Sequence, residues 1–194
     1  MLTEEGKKRR AALDAELAER AAGFKAEQRE MLKELAEVGI EIDMVNLLSR
    51  RTVAENGQVM LILMKHLRRD YSEGTLDSLA RSLAIKEAGE YWDELVAIYR
   101  QSADRTPTGA GTFAMALADA VSEACPPSRI DELIDLLRDR RLPHRVLLLT
   151  PLRKRRGRDP SIAQVIEELL HDPALSKEIS NWKILKSQAV PRSH

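Results

Sequence analysis

Cysteine is almost absent. A single residue, Cys125, excludes an intrachain disulfide framework and any multi-cysteine zinc site. Aromatic residues make up only 4% of the chain, too few to line a single-stranded nucleic-acid channel with stacking platforms. No long apolar run exists. The longest clear one, Val59 to Met64, is six residues against the roughly 20 that a membrane helix needs. The opening MLTEEGKKRR has no apolar segment behind its charges, so a secretory signal is not expected. A soluble, cytoplasmic chain with no membrane contact is the expectation. Net charge is also missing: 31 basic residues meet 31 acidic ones, and the global balance does not point to a polyanion. No histidine pair stands in HExxH or at i, i+4 spacing, so no local metal site is expected, and no cofactor-binding fingerprint is found.

What remains is alanine, leucine, arginine and glutamate, with no stretch alternating apolar and polar residues over a strand's length. Helix is the default expectation. Glycine and proline punctuate the chain from residue 57 onward. One apolar quartet, at offsets i, i+3, i+4 and i+7, occurs four times. It reads Met60, Leu63, Met64, Leu67; then Trp92, Leu95, Val96, Tyr99. It returns as Ile130, Leu133, Ile134, Leu137 and as Ile162, Val165, Ile166, Leu169. The intervals are 32, 38 and 32 residues, and each contains a second helical stretch. GTLDSLARSL (74–83) and GTFAMALADAV (111–121) both open on Gly-Thr. A third stretch begins near Leu142-Pro143 and carries Val146 to Leu149. The fourth opens on Asp172-Pro173, a cap followed by a proline suited to the first turn. A helix pair of this length cannot bury both apolar faces alone, whereas stacked pairs bury a continuous core.

The stretches SIAQVIEELLHDPALSKEISNWKIL (161–185) and RIDELIDLLRDRRLPHRVLLLTPLRKR (129–155) resemble HEAT-type repeats of the armadillo-like superfamily, and the resemblance extends over residues 58–186. It implies an all-α fold: a right-handed α-solenoid of about four HEAT-like helix pairs whose concave face binds a partner. The first two pairs lack the Asp-Pro turn, and the second carries the TPTGAG loop. Residues 1–38 read as one long charged helix, preceding a turn and a short helix at 39–57: a turn over Gly39 to Asp43, a short helix from Asp43 to Arg51 and a further turn at Glu55-Asn56-Gly57. Leu17, Ala21, Phe24, Gln28, Met31, Leu35 and Val38 follow a 4-3-4-3 spacing. The preferred expectation is that this helix docks on the first repeat through Phe24, Met31 and Leu35. The alternative is a weak homodimer through the same seam. A frayed tail is expected over 187–194.

Isolated chemical candidates resolve into structural roles. His171-Asp172 reads as a helix end followed by a cap, Cys125 as a small apolar residue at a helix end, and Thr108 to Thr112 as a loop without a Walker lysine. Neighbouring carboxylates such as Glu167-Glu168 lie on solvated helix faces. The charge distribution is the informative feature. Between Arg138 and Arg158 stand nine basic residues and one acid, Asp139, while residues 70–104 hold eight acids against three bases. Such segregation makes a positive end on a neutral molecule. The expected activity is therefore non-enzymatic: a scaffold binding an acidic protein partner. Arg141, Arg145, Arg153, Lys154, Arg155, Arg156 and Arg158 would form the contact surface. Arg81, comparably placed in LARSL, would join them. Duplex nucleic acid is the alternative partner of the same patch.

Overall fold

The structure is a computed structural model describing residues 3–105 and 112–187. The TPTGAG segment and the tail beyond Ser187 lie outside the described residues. Among the described residues there are eleven α-helices and no strand: α1 (Glu4–Glu27), α2 (Arg29–Glu37), α3 (Arg50–Glu55), α4 (Gly57–Leu67), α5 (Glu73–Ser82), α6 (Trp92–Arg105), α7 (Thr112–Ala124), α8 (Ile130–Arg138), α9 (Thr150–Arg155), α10 (Pro160–Leu169) and α11 (Pro173–Ser187). No helix is long and apolar enough to cross a membrane among these residues.

The four quartets supply the first helix of four successive pairs. Fourteen of their sixteen side chains are buried, and Leu63, Leu95, Tyr99, Leu133 and Leu137 are all fully enclosed in one contiguous cluster running from Met31 to Trp182. Each enclosed leucine is worth about 1.5–3 kcal/mol relative to exposure. Within the chain α4 packs on α5, α6 on α7, and α10 on α11, while α5 also lies along α7. Ion pairs also run between helices: Lys65–Glu34 joins α4 to α2 at 2.7 Å, Arg68 at the end of α4 pairs with Glu94 of α6, and Arg138–Glu168 joins α8 to α10 at 2.7 Å. These are mostly solvent-facing, and each contributes about 0–1 kcal/mol. Their effect is on register more than on stability.

Three expectations need correction. The N-terminal stretch is two helices that meet at Gln28, whose backbone stays right-handed (φ −83°, ψ −2°) and still donates to the Phe24 carbonyl at 3.0 Å, while its side chain is buried in the body. That side chain accepts from the Val45 amide at 2.9 Å and donates to Thr75 Oγ1 at 3.0 Å. Met31 and Leu35 are enclosed as expected and Phe24 is half-buried, but α1 before Phe24 lies in solvent. The short helix expected from Asp43 is instead a single 3-10 turn, Val45–Leu47, followed by α3, which Ser49 caps. Asn56 both ends α3, its amide donating to the Val53 carbonyl, and begins α4. It caps α4, accepting from the Gln58 and Val59 amides at 3.0 and 3.3 Å. The second helix of the third pair is also broken. His144 adopts a left-handed conformation (φ 53°), so the chain from Arg145 to Leu149 winds as a 3-10 turn before α9 begins at Thr150. That turn packs against α7, α8 and α11 and does the work of a helix at this position.

Candidate functional site

The basic run is presented by α9 and the turn after it. Pro151 suits the first turn of α9, and Leu152 is fully enclosed, pinning this six-residue helix to the core. With Leu152 turned inward, Arg153 and Lys154 are exposed and Arg155 and Arg156 half-buried. Cations at this C-terminal end are favoured by the helix dipole. Asp159 then caps α10, accepting from the Ser161 amide at 3.0 Å, and fixes where the turn carrying exposed Arg158 ends.

The nine cations from Arg138 to Arg158 divide into two groups. In the first, local acids neutralise the charge. Arg138 grips both oxygens of Glu168 at 3.0 and 2.7 Å, and this pairing holds the Glu168 carboxyl below its ordinary value. Arg141 holds Asp139 at 2.9 and 2.7 Å and brings its carboxyl down to about 2. Arg140 stands 3.6 Å from Asp172. Arg145 departs from the expected contact surface altogether: only 6% of it is exposed. Its guanidinium donates to Asp172 Oδ2 at 2.9 Å and to the Leu137 carbonyl, while Asp172 Oδ1 caps α11 by accepting from the Ala174 amide at 2.9 Å. Arg145 is a buried clamp between the third and fourth helix pairs, held by Asp172 and the Leu137 carbonyl.

In the second group local acids offset little of the charge. Lys154 reaches Glu123 of α7 at 3.4 Å, but Arg153, Arg155, Arg156 and Arg158 make no ion pair among the described residues. Arg155 donates to the Pro127 carbonyl at 3.3 Å. The guanidinium groups of Arg153 and Arg156 lie 6.0 and 5.5 Å from the ring centre of Trp182, which is nearly enclosed and donates its own N–H to Glu178 at 2.8 Å. One Arg156 nitrogen, Nη1, is buried with no hydrogen-bond partner. The indole thus acts as a platform that restrains two arginine forks through cation–π attraction. Arg81 belongs elsewhere. It pairs with Asp77 at 2.8 Å on α5, and its carbonyl accepts from Arg50, which in turn pairs with Asp119 at 3.1 Å, making a locally neutral group.

Sequence reasoning located the α9 run and missed Trp182 as its support. The signal was present but long-range: the aromatic stands 26 residues beyond Arg156, on the helix that follows the Asp-Pro cap. The remaining candidates have structural surroundings. Burial pushes the Cys125 thiol up to about 11, so little thiolate exists near neutrality. Asp172 caps a helix, and among the described residues no three His, Cys, Asp or Glu side chains gather as a metal site. A comparison with family models, curated proteins and solved structures finds no match, so the chemistry of the site is read from its geometry.

Proposed function

We propose that this protein is a non-enzymatic interaction scaffold: a right-handed α-solenoid of HEAT-like helix pairs that docks an acidic protein partner through Arg153, Arg155, Arg156 and Arg158. The observation that carries the reading is the contrast within one basic run. Arg138, Arg140, Arg141 and Arg145 each have a carboxylate within 4 Å, whereas the four arginines around α9 make no ion pair among the described residues, and only Arg155 acts at longer range on a carboxylate, that of Asp159. Clustered like charges repel one another, and an external anion relieves that cost. Arginine forks held on an indole are also pre-organised for carboxylate recognition, losing less side-chain freedom on binding than free chains would. The solenoid reading is supported by the order of the packing, first helix to second helix within each pair and second helix to second helix between pairs, as in α5 along α7.

The test is affinity capture with the full chain against Arg153→Glu combined with Arg158→Glu. Both positions are exposed, and only Arg153 reaches the core, over the Trp182 ring. The expected result is loss of an acidic partner that the wild type retains, with the far-ultraviolet circular dichroism unchanged. Capture of the same partner by the double variant overturns the proposal. Recovery of duplex nucleic acid in place of a protein assigns the patch to phosphodiester binding instead.

A further inference from the structure

Helix α1 presents an unusual balance of order and exposure. It has 24 residues, about 36 Å at 1.5 Å per residue, and every residue from Lys7 to Gly23 is exposed. Its C-terminal end is held firmly. Phe24 lies over Gly74, where a methyl group would come within 3.0 Å of the ring, and Glu27 accepts from the Ser72 and Thr75 hydroxyls, each at 2.7 Å. The rest projects as an arm. Leu13 and Leu17, 54% and 51% exposed and one turn apart, are two of the five large apolar side chains left in solvent among the described residues. Beside them on the same face lie two ion pairs, Glu5–Arg9 at 2.6 Å and Glu16–Arg20 at 3.1 Å, all four side chains more than 60% exposed.

The order of those charges is informative. Along one flank the helix reads Glu5, Arg9, Glu16, Arg20, alternating in sign and reversing sign when read backwards about a point between Ala12 and Leu13. A second copy laid antiparallel about that point sets Glu5 level with Arg20 and Arg9 level with Glu16 at every position. A parallel, in-register copy sets each charge against its like, and the Lys7 to Arg10 run against itself. The same antiparallel register puts Leu13 beside its own symmetry mate and Leu17 level with Lys8, two residues from Arg10 of the second copy. The partner helix then ends level with Ala21, short of Phe24, where α1 first meets the body. We propose that α1 is a homodimerisation arm that pairs antiparallel with a second copy over Glu4 to Ala21. This is independent of the α9 surface. It also differs from the seam expected over 17–38, whose Gln28, Met31 and Leu35 are consumed inside the fold.

The test uses the full chain in sedimentation equilibrium at low and near-physiological salt. Wild type is expected at twice the 21.9 kDa chain mass, with the association weakening as salt rises. Glu5→Arg with Glu16→Arg makes the flank uniformly positive and is expected to give monomer. Exchanging all four charges (E5R, R9E, E16R, R20E) preserves both the internal pairs and the sign alternation, and is expected to restore the dimer. A wild-type monomer at 100 µM overturns the proposal. So does a dimer that persists in the uniformly positive variant, or a charge-exchanged chain that stays monomeric while its circular dichroism matches wild type.

Discussion

Replacing Arg145 by Met tests whether the third and fourth helix pairs are clamped by charge. The Arg145 side chain is 6% exposed and that of Asp172 10%, with 2.9 Å between guanidinium and carboxylate. Methionine keeps much of the aliphatic volume but strands a carboxylate whose remaining contacts are the Ala174 amide and Arg140 at 3.6 Å, and it leaves the Leu137 carbonyl without this donor. Removing one partner of a buried pair costs about 3–5 kcal/mol. Arg140 recovers part of that, which places the expected loss near 3 kcal/mol. Asp172→Asn keeps the cap through its side-chain oxygen and leaves the cation unpaired, for a loss of similar size. The double variant has neither stranded charge and is expected to lose about 2 kcal/mol less than the sum of the singles, since residues in one ion pair couple strongly. Urea unfolding followed by circular dichroism gives all three values. A loss under 1 kcal/mol for Arg145→Met, or singles that simply add, would refute the clamp.

Three further outcomes follow from the packing. His66 is fully enclosed between Tyr71, 2.6 Å from Nδ1, and Glu34, 3.3 Å from Nε2, and burial lowers its pKa below the ordinary 6.5. The neutral ring is therefore the folded form: its contribution is intact above pH 6.5 and is lost as pH falls from there toward the folded value. Urea midpoints should decline from pH 7 to pH 5 in wild type and stay flatter in His66→Gln; equal slopes would remove His66 as the cause. Asn56→Ala deletes the cap of α4 and should cost about 1 kcal/mol, against a few tenths for Asn56→Gly, read from the same unfolding curves. Gly89→Ala places a methyl 3.1 Å from the Ala124 carbonyl oxygen, a backbone atom that cannot swing aside. A loss of about 1–2 kcal/mol is expected, and a neutral result would show that the 3-10 turn at Lys86–Tyr91 yields freely.

Periodicity carried the helices whose stability comes from an apolar face. The quartets from Met60 to Leu169 mark α4, α6, α8 and α10, and the Gly-Thr and Asp-Pro starts mark α5, α7 and α11. What local pattern does not record is where a polar side chain is drawn by something distant. Gln28 sits at an apolar seam position yet is buried, because Val45 and Thr75, remote in sequence, offer its amide partners. Arg145 reads as a surface cation until Asp172, 27 residues on, turns it inward. His144 in a left-handed conformation, after a proline, replaces an expected helix by a 3-10 turn, although residues 146–149 are apolar enough for either. The candidate surface shows the same division. Its charge was visible as composition, but which arginines are already paired depends on Glu168, Asp172 and Asp139 and is decided only in three dimensions.

The central claim is that the four unpaired arginines around α9 form a surface for an acidic protein. It is tested most directly by fluorescence anisotropy of a labelled poly-glutamate peptide and a labelled DNA duplex, titrated with wild type and with the Arg153→Glu, Arg158→Glu variant. Salt is held near 150 mM, where screening extends about 8 Å. The account predicts that wild type binds the peptide and that the variant loses at least tenfold in affinity, with the duplex bound more weakly than the peptide throughout. Peptide affinity unchanged by the charge reversal, or a duplex bound more tightly than the peptide at this salt, would contradict it.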